Sequence, residues 1–369
     1  MRILIAPDKF KGTLSALEVA ENIAAGLREV LPDAKIDIVP MADGGEGTAE
    51  VISDALGASW LNCKAHGPLH REIEARYGWI AKQELAVMEM SEAAGMRRLR
   101  PSELNPEIAS TFGVGEMILD AARRGAEQII IGLGGSATND GGFGMARALG
   151  FRFLGAAAAK LDGFKPSSLK GLERIERPAG LKLPKIIAAV DVRNPLLGEN
   201  GATRVFGPQK GVTPDRIENF ELALTRLADV VAQEFSFDYH NEVGAGAAGG
   251  LGFGLMSFCG AKIRPGFDVV AESVGLETKM KDVDLVITGE GSLDRQTLEG
   301  KTPAGVAQLA RKLGKRVFAM VGRATDDTAV RKLFDGVYQN ARSEMSQEEN
   351  MKRAAQLLRE NARELAKTL

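Results

Sequence analysis

Short apolar runs alternate with amphipathic stretches along most of the chain. Ile3-Leu4-Ile5-Ala6 is a continuous, β-branched run of the kind buried on both faces of a parallel sheet. It exits through Pro7-Asp8. Ser15 with Glu18 three positions later then forms a capping box ahead of Leu17, Ala20, Ile23, Ala24, Leu27 and Leu31 at helical spacing. KIDIVP, ending at Pro40, predicts a second strand, and the segment after Gly47 a second helix, so parallel pairing with right-handed crossovers follows. From Trp60 to Ile80 the pattern alternates around Gly67-Pro68, which predicts an antiparallel hairpin. A strand near Leu85 to Met90, a helix carrying Val114, Met117, Ile118 and Ala121, and the strand Ile129-Ile130-Ile131 restore the βαβ order.

Residues 152 to 182 show little period and are expected to form loops and short pieces. Beyond them, IIAAV at 186 to 190 predicts a strand, RVF at 204 to 206 another, and Ile217, Phe220, Leu224, Leu227, Ala228 and Val231 a long amphipathic helix. GAGAAGGLGFGL at 244 to 255 is low in complexity, yet it runs straight into Leu251, Phe253, Leu255 and Met256, so it reads as a loop entering a tightly packed helix. The C-terminal third returns to simple alternation: strand DLVIT, a helix from Pro303 to Leu313, strand RVFAMV, and a last helix capped by Ser346 with Glu349. No fixed-period repeat is evident. The fold class is α/β with mainly parallel sheets, and 369 residues exceed what one core usually serves, so two domains are expected.

Composition narrows the function classes. With 47 basic against 49 acidic residues the net charge is -2, so neither nucleic acid nor a membrane is expected as partner, and any anion must be held by local geometry. The two cysteines, Cys63 and Cys259, form no CxxC pair and fit a reducing compartment as packing residues. The apolar run at the N-terminus is too short for a signal segment, and no stretch approaches 18 apolar residues, so a cytoplasmic protein is expected. Only three histidines occur, His66, His70 and His240, which leaves little for a zinc enzyme or a Ser-His-Asp hydrolase. Phosphoryl transfer needs neither histidine nor cysteine, because positioning and charge neutralisation carry it.

Five polar, glycine-rich segments directly follow predicted strands, where open α/β sheets place ligands. Asp8-Lys9-Phe10-Lys11-Gly12 offers two lysines for a phosphate or substrate, against the plain reading of a solvated turn. Asp43-Gly44-Gly45-Glu46-Gly47-Thr48 opens a helix and carries carboxylates suited to Mg²⁺ or its waters; ordinary dipole complementarity is the rival. GLGGSATNDGG at 132 to 142 reads as a nest of N–H groups for nucleotide phosphates, with Gly134, Gly135, Ser136, Asn139 and Asp140 as candidates and Gly246 and Gly249 of the later glycine run beside them. Its match to GxGxxA also admits an NADP-linked dehydrogenase, although no acidic ribose ligand follows about 20 positions on. Asp191 and Asn194 after IIAAV suggest a general base with a positioning partner, and Lys210 a charge-neutralising lysine; an Asx turn before Pro195 is the rival. The last segment carries Glu290, Asp294, Gln296 and Lys301. Its GKT tail is not a Walker A motif, because Arg295 stands where the first glycine is required. The expectation is Asp191 as base with Asp294 second and Lys11 assisting, Asp8, Lys9, Asn194, Lys210, Gln296 and Lys301 around substrate or phosphate, and Asp43, Glu46 and Glu290, with Asp294 near them, around a metal ion.

APDKFKG, MADGGEGT, IGLGGSATNDGGFGMARALG, DVRNPLLG with VFGPQKG, GAGAAGGLGFGL, and DLVITGEGSLDRQTLEGKTPAGVA occur in this order from about residue 3 to residue 310. Together they resemble the signature of the bacterial type I glycerate kinases. The resemblance implies ATP and glycerate as substrates, Mg²⁺ as cofactor, and phosphorylation at the 2-position. It also implies two dissimilar α/β domains with the active site in the cleft between them. One domain would combine both chain ends, 1–80 with 280–369, and the other, flavodoxin-like, would span 81–279. Two positions depart from the family pattern: Ser292 stands where a basic residue is usual, and Gly322-Arg323 stands where Gly-Ser is usual. A non-catalytic nucleotide sensor is the remaining alternative. Oligomeric state is not specified by any of these features.

Overall fold

The computed structural model describes residues 1–161, 163–295, 297 and 301–369. Its strands in chain order are β1 (Arg2–Ile5), β2 (Lys35–Ile38), β3 (Ser59–His66), β4 (Glu72–Ile80), β5 (Leu85–Glu89), β6 (Gln128–Gly132), β7 (Arg152–Leu154), β8 (Arg174–Glu176), β9 (Lys185–Val190), β10 (Lys262–Pro265), β11 (Leu285–Leu293), β12 (Arg316–Ala324) and β13 (Gly336–Gln339). The chain divides into two compact units. The first is 1–43, 50–56 and 265–369; the second is 44–49 and 57–264.

The first unit is built on a sheet ordered β13-β12-β11-β1-β2, all of whose described pairings are parallel. In the order in which this unit's own strands occur, that is 2-1-3-4-5, with the strand order reversing between β1 and β11. The capping box is formed: Ser15 accepts from the N–H of Glu18 at the start of the helix Ala16–Val30. That helix turns Val19, Ile23 and Leu27 onto Ile3, Ile5, Ile287 and Met320 in one apolar cluster with Leu358 and Leu365 of the helix Ala354–Ala366. Gly26 is where these two helices meet most closely, since a Cβ there would lie 2.3 Å from the carbonyl oxygen of Arg359.

The second unit carries a mixed sheet ordered β10-β9-β6-β5-β4-β3. β5, β6 and β9 run parallel, while β3, β4 and β5 form an antiparallel meander. The expected hairpin exists, but Gly78, Trp79 and Ile80 pair with Val87, Ala86 and Leu85, so it extends the second unit's sheet instead of joining the chain ends. The boundaries expected near 80 and 280 therefore fall at 57 and 265, and the flavodoxin-type strand order belongs to the first unit, not the central one. The expected strand RVF is the last part of a short helix, Ala202–Phe206. Residues 152–182 contain the small antiparallel sheet β7-β8 and the 3-10 segments Ala156–Ala158 and Pro166–Gly171. The helix Ala247–Cys259 is apolar on every side and buried on nearly every side, as its sequence predicts. Among the described residues no helix is long and apolar enough to cross a membrane.

Candidate active-site loops

In the first unit the chemistry collects at the carboxyl ends of β1 and β11. The chain stays zipped to β11 past the end of β1, because Ala6 N–H donates to the Ile287 carbonyl at 2.7 Å and Asp8 N–H to that of Gly289 at 2.8 Å. Thr288 Oγ1 closes the junction on the Ala6 carbonyl at 2.8 Å. Asp8 is thereby fixed and almost wholly buried. Its Oδ1 accepts from the Lys9 N–H at 2.7 Å, and its Oδ2 from Thr302 Oγ1, at the start of the helix Thr302–Lys312, also at 2.7 Å. Burial, together with the neighbouring Asp43 carboxylate, pushes the Asp8 carboxyl up to about 7, against the opposing pull of Lys9 and Thr302.

Glu290 accepts from Thr297 Oγ1 at 2.7 Å. Burial raises its carboxyl to about 7, with Asp8 and Asp294 adding to the rise and Thr297 and Lys301 opposing it. Asp294 N–H donates to Thr297 Oγ1 at 3.2 Å, and Ser292 Oγ lies 3.4 Å from Asp294 Oδ2. Asp8, Asp43, Glu290 and Asp294 thus share one electrostatic neighbourhood with Lys9 and Lys301. Gly291 passes 3.5 to 3.6 Å, measured from a Cβ built there, from the main chain of Lys11 and Phe10; the Lys11 residue itself is exposed. Gln296 lies outside the described residues.

In the second unit, the loop 132–142 is held from within. The Asp140 carboxylate accepts from the N–H and Oγ1 of Thr111 at 3.0 and 2.8 Å and from the N–H groups of Gly142 and Gly144, both at 3.1 Å. Burial raises its pKa, and those donors oppose the rise. Asn139 Nδ2 donates to Thr203 Oγ1 at 2.9 Å, and Lys210 Nζ to the Thr138 carbonyl at 2.8 Å. Asn139, Asp140 and Lys210, expected against nucleotide or substrate, are all buried and build the loop instead. The loop's open side is Gly134 and Gly135. There Met96 N–H takes the Gly135 carbonyl at 2.8 Å, whereas the N–H groups of Gly134, Gly135 and Ser136 have no acceptor among the described residues.

Close packing accounts for many of the glycines that the sequence suggested were ligand-facing. A Cβ at Gly249, where φ is +68°, would lie 1.9 Å from the Thr138 carbonyl oxygen, and Gly141 N–H donates to the Gly249 carbonyl at 3.0 Å. Gly246 donates to the Asn194 carbonyl at 2.9 Å, and a Cβ there would lie 2.2 Å from the carbonyl oxygen of Pro195. Gly246 and Gly249 are buried between loops. Asn194 uses its amide to close its own turn on the Asn200 carbonyl at 2.7 Å, while Asp191 stands exposed at the end of β9.

Glu46 sits 3.7 Å from Arg97, which also reaches Glu92 at 2.6 Å and Glu89 at 3.8 Å. Glu89 is the acid missed by sequence reasoning. Buried at the end of β5, it accepts the N–H groups of Gly47 and Ala49 at 2.7 and 3.1 Å and so anchors the start of the helix Thr48–Leu56. The signal was present, since Glu89 ends an apolar run just as Asp8 and Asp191 do. Asp43, Glu46 and Glu290 do not form one ligand set: among the described residues no three acidic, histidine or cysteine side chains gather to hold a metal ion. Mg²⁺ ordinarily takes only one or two carboxylates beside phosphate oxygens and water, so the hard oxygen donors of the neighbouring pair Asp8 and Asp43 fit it in that mode.

The model of the glycerate kinase family matches residues 3–369. The chain is 41% identical to the glycerate kinase of Halalkalibacterium halodurans, over 99% of this chain and 97% of that one. It is 43% identical to the glycerate 2-kinase of Escherichia coli K12, over 89% and 87%. A crystal structure of a candidate glycerate kinase 2 from Salmonella typhimurium LT2 superposes with a TM-score of 0.87 at 41% identity, covering 100% of this chain and 98% of that one.

Proposed function

The chain belongs to the glycerate kinase family, and we propose that its two units divide the reaction, the first binding and activating glycerate and the second holding the phosphates of ATP. The activity is ATP-dependent phosphorylation of D-glycerate to 2-phosphoglycerate, an alcohol-group phosphotransfer. The observation that carries the division is the pair of carboxyls, Asp8 and Glu290, raised to about 7 at the point where the first unit's strand order reverses.

Glu290 is the general base in this reading. One of its oxygens is fixed by Thr297, and a carboxyl raised to about 7 accepts a hydroxyl proton more readily than an ordinary carboxylate. As that proton leaves, the glycerate oxygen bonds to the γ-phosphorus, the bond from that phosphorus to the bridging oxygen breaks, and ADP departs with the electron pair. Lys9, Lys11 and Lys301 offset the charge that builds up. In the second unit the N–H groups of Gly134, Gly135 and Ser136, which have no acceptor among the described residues, suit phosphate oxygens, a binding mode that needs no net positive charge on the protein. Asp8 and Asp43 would supply oxygens to Mg²⁺, which when bound neutralises phosphate charge. The composition and the absence of a paired-cysteine pattern fit action in the cytoplasm on a small-molecule substrate.

Phosphorus NMR of the product from ATP, Mg²⁺ and D-glycerate tests the reaction, and 2-phosphoglycerate is the expected product. Glu290→Gln is expected to lower kcat about 100-fold or more, with Asp191→Asn much milder. The reverse ranking would move the base to Asp191.

A further inference from the structure

β11 and β12 run on together past the end of β1, with Glu290 opposite Val321, Ser292 opposite Arg323 and Leu293 opposite Ala324. They are pressed close there, since a Cβ on Gly322 would lie 2.4 Å from the Gly291 carbonyl oxygen. Side chains two apart on a strand share a face, so Glu290 and Ser292 project together, roughly 7 Å apart at the backbone. Arg323, paired with Ser292, joins them on that face.

The Arg323 side chain is held at one point. Its Nε donates to Ser292 Oγ at 3.0 Å, and the same hydroxyl lies 3.4 Å from Asp294 Oδ2. Its two terminal nitrogens meet no carboxylate among the described residues, whereas Arg97, Arg98, Arg124 and Arg204 are each engaged with one. The residue is exposed. A guanidinium tethered through Nε with its outer fork unfilled is arranged for a planar, two-oxygen anion.

We propose that Arg323, positioned by Ser292, receives the carboxylate of glycerate. The inference deepens the reading that the first unit binds the acceptor and rests on it. The surroundings favour a small, singly charged acid over the nucleotide. Asp8, Asp43, Glu290 and Asp294 gather at these strand ends, and a polyphosphate without its metal, carrying several charges where glycerate carries one, would meet the stronger repulsion. A hydroxy acid would place its hydroxyl toward Glu290 and its carboxylate at the fork.

The test compares D-glycerate with its neutral amide, D-glyceramide, as acceptors for the full-length protein. Arg323→Gln is expected to raise the KM for glycerate about 10- to 100-fold, the range for losing a charged hydrogen-bond partner. The KM for ATP and the use of glyceramide stay as in the parent, so the preference for the acid collapses. Arg323→Lys should restore part of that preference, because it returns the charge without the fork. Ser292→Ala should show a smaller loss of the same kind. An unchanged preference for glycerate over its amide in Arg323→Gln overturns the proposal, and a raised KM for ATP with that preference intact reassigns the guanidinium to phosphate. Asp8→Asn separates the two levels of inference. If it impairs glycerate use while Arg323→Gln does not, only the arginine's role falls. If neither variant nor Glu290→Gln affects glycerate use, the placement of the acceptor on this unit falls as well.

Discussion

Lys210 shows how little a residue's chemistry says about its direction. A lysine after a strand and beside an Asp-Asn pair suggests a ligand for anions, yet its ammonium is buried on the Thr138 carbonyl. Burial lowers its pKa to about 7, with Asp140 opposing the fall. Between about 7 and 10 the unfolded chain binds the proton more tightly than the folded one, so this group makes stability rise with pH across that window and lose the gain as pH falls to about 7. Asp8 and Glu290 act on the other side. Their folded carboxyls, at about 7, keep protons that the unfolded chain releases near 4, so the stability they add below 4 is lost as pH rises to about 7. The windows adjoin without overlapping. Lys210→Met should therefore flatten the rise in urea-unfolding free energy between about pH 7 and 9 while leaving the slope from about pH 5 to 7 unchanged. An unaltered alkaline slope would show that the ammonium is not desolvated as described. Asp8 and Asp191 could be picked out in the sequence because strand ends are legible from apolar runs, and Glu290 because the apolar run of β11 stops before it, although the strand itself continues to Leu293. The inward turn of Asn139, Asp140 and Lys210 could not, because a loop has no period from which to read a side chain's direction.

At the level of elements, strongly periodic segments were legible and short ones were not. The helix Ile217–Phe235 and the two serine capping boxes form where their residues predict, but Ser346 caps the short helix Gln347–Lys352, and the last helix, Ala354–Ala366, follows as a separate element. The helix Ala202–Phe206 has only five residues, less than two turns, so RVF offered a β-branched cue with no helical period to oppose it. β10 and β13 are four residues each and lack the continuous apolar character of β1 or β6. The glycine segments present the opposite difficulty: ligand approach and backbone packing ask for the same residue. The structure separates the two, since Gly249 abuts Thr138 and Gly254 abuts Gly142, whereas Gly135, at φ +71°, has only the Ser91 Cβ within 4 Å of a Cβ built on it, at 3.7 Å. Gly249→Ala should accordingly destabilise the second unit by about 2 to 4 kcal/mol, through a left-handed backbone and a clash with a main-chain oxygen. Gly135→Ala should be milder, about 1 kcal/mol, because its strain is conformational alone. Denaturant unfolding of the two variants gives the comparison, and equal losses would contradict the packing account.

Over the whole chain, the return of a βα pattern after Asp282 made a discontinuous first unit foreseeable, and β11 and β12 do complete the sheet begun by β1 and β2. The boundaries were less legible because they depend on which neighbour a strand pairs with. The pairing of β4 with β5 takes the hairpin into the second unit, and nothing in the alternation of β4 specifies that partner. The proposed division of labour makes each substrate's footprint specific to one unit, and hydrogen exchange can follow both in a single protein. Bound glycerate should slow exchange around Asp8 and along the far ends of β11 and β12, where Glu290, Ser292 and Arg323 lie. A non-hydrolysable ATP analogue should slow it chiefly at Gly134 to Ser136, whose N–H groups otherwise have no acceptor among the described residues. The buried part of the same loop, from Thr138 to Gly142, is held by Asp140, Lys210 and Gly249 and should be protected before any ligand is added. Protection of the first unit alone by the analogue would assign the phosphates to the acidic strand ends and reverse the roles of the two units. Protection confined to Gly134 to Ser136 would instead identify the three amides as the phosphate-binding group, with the interlocked glycines behind them serving to hold that turn open.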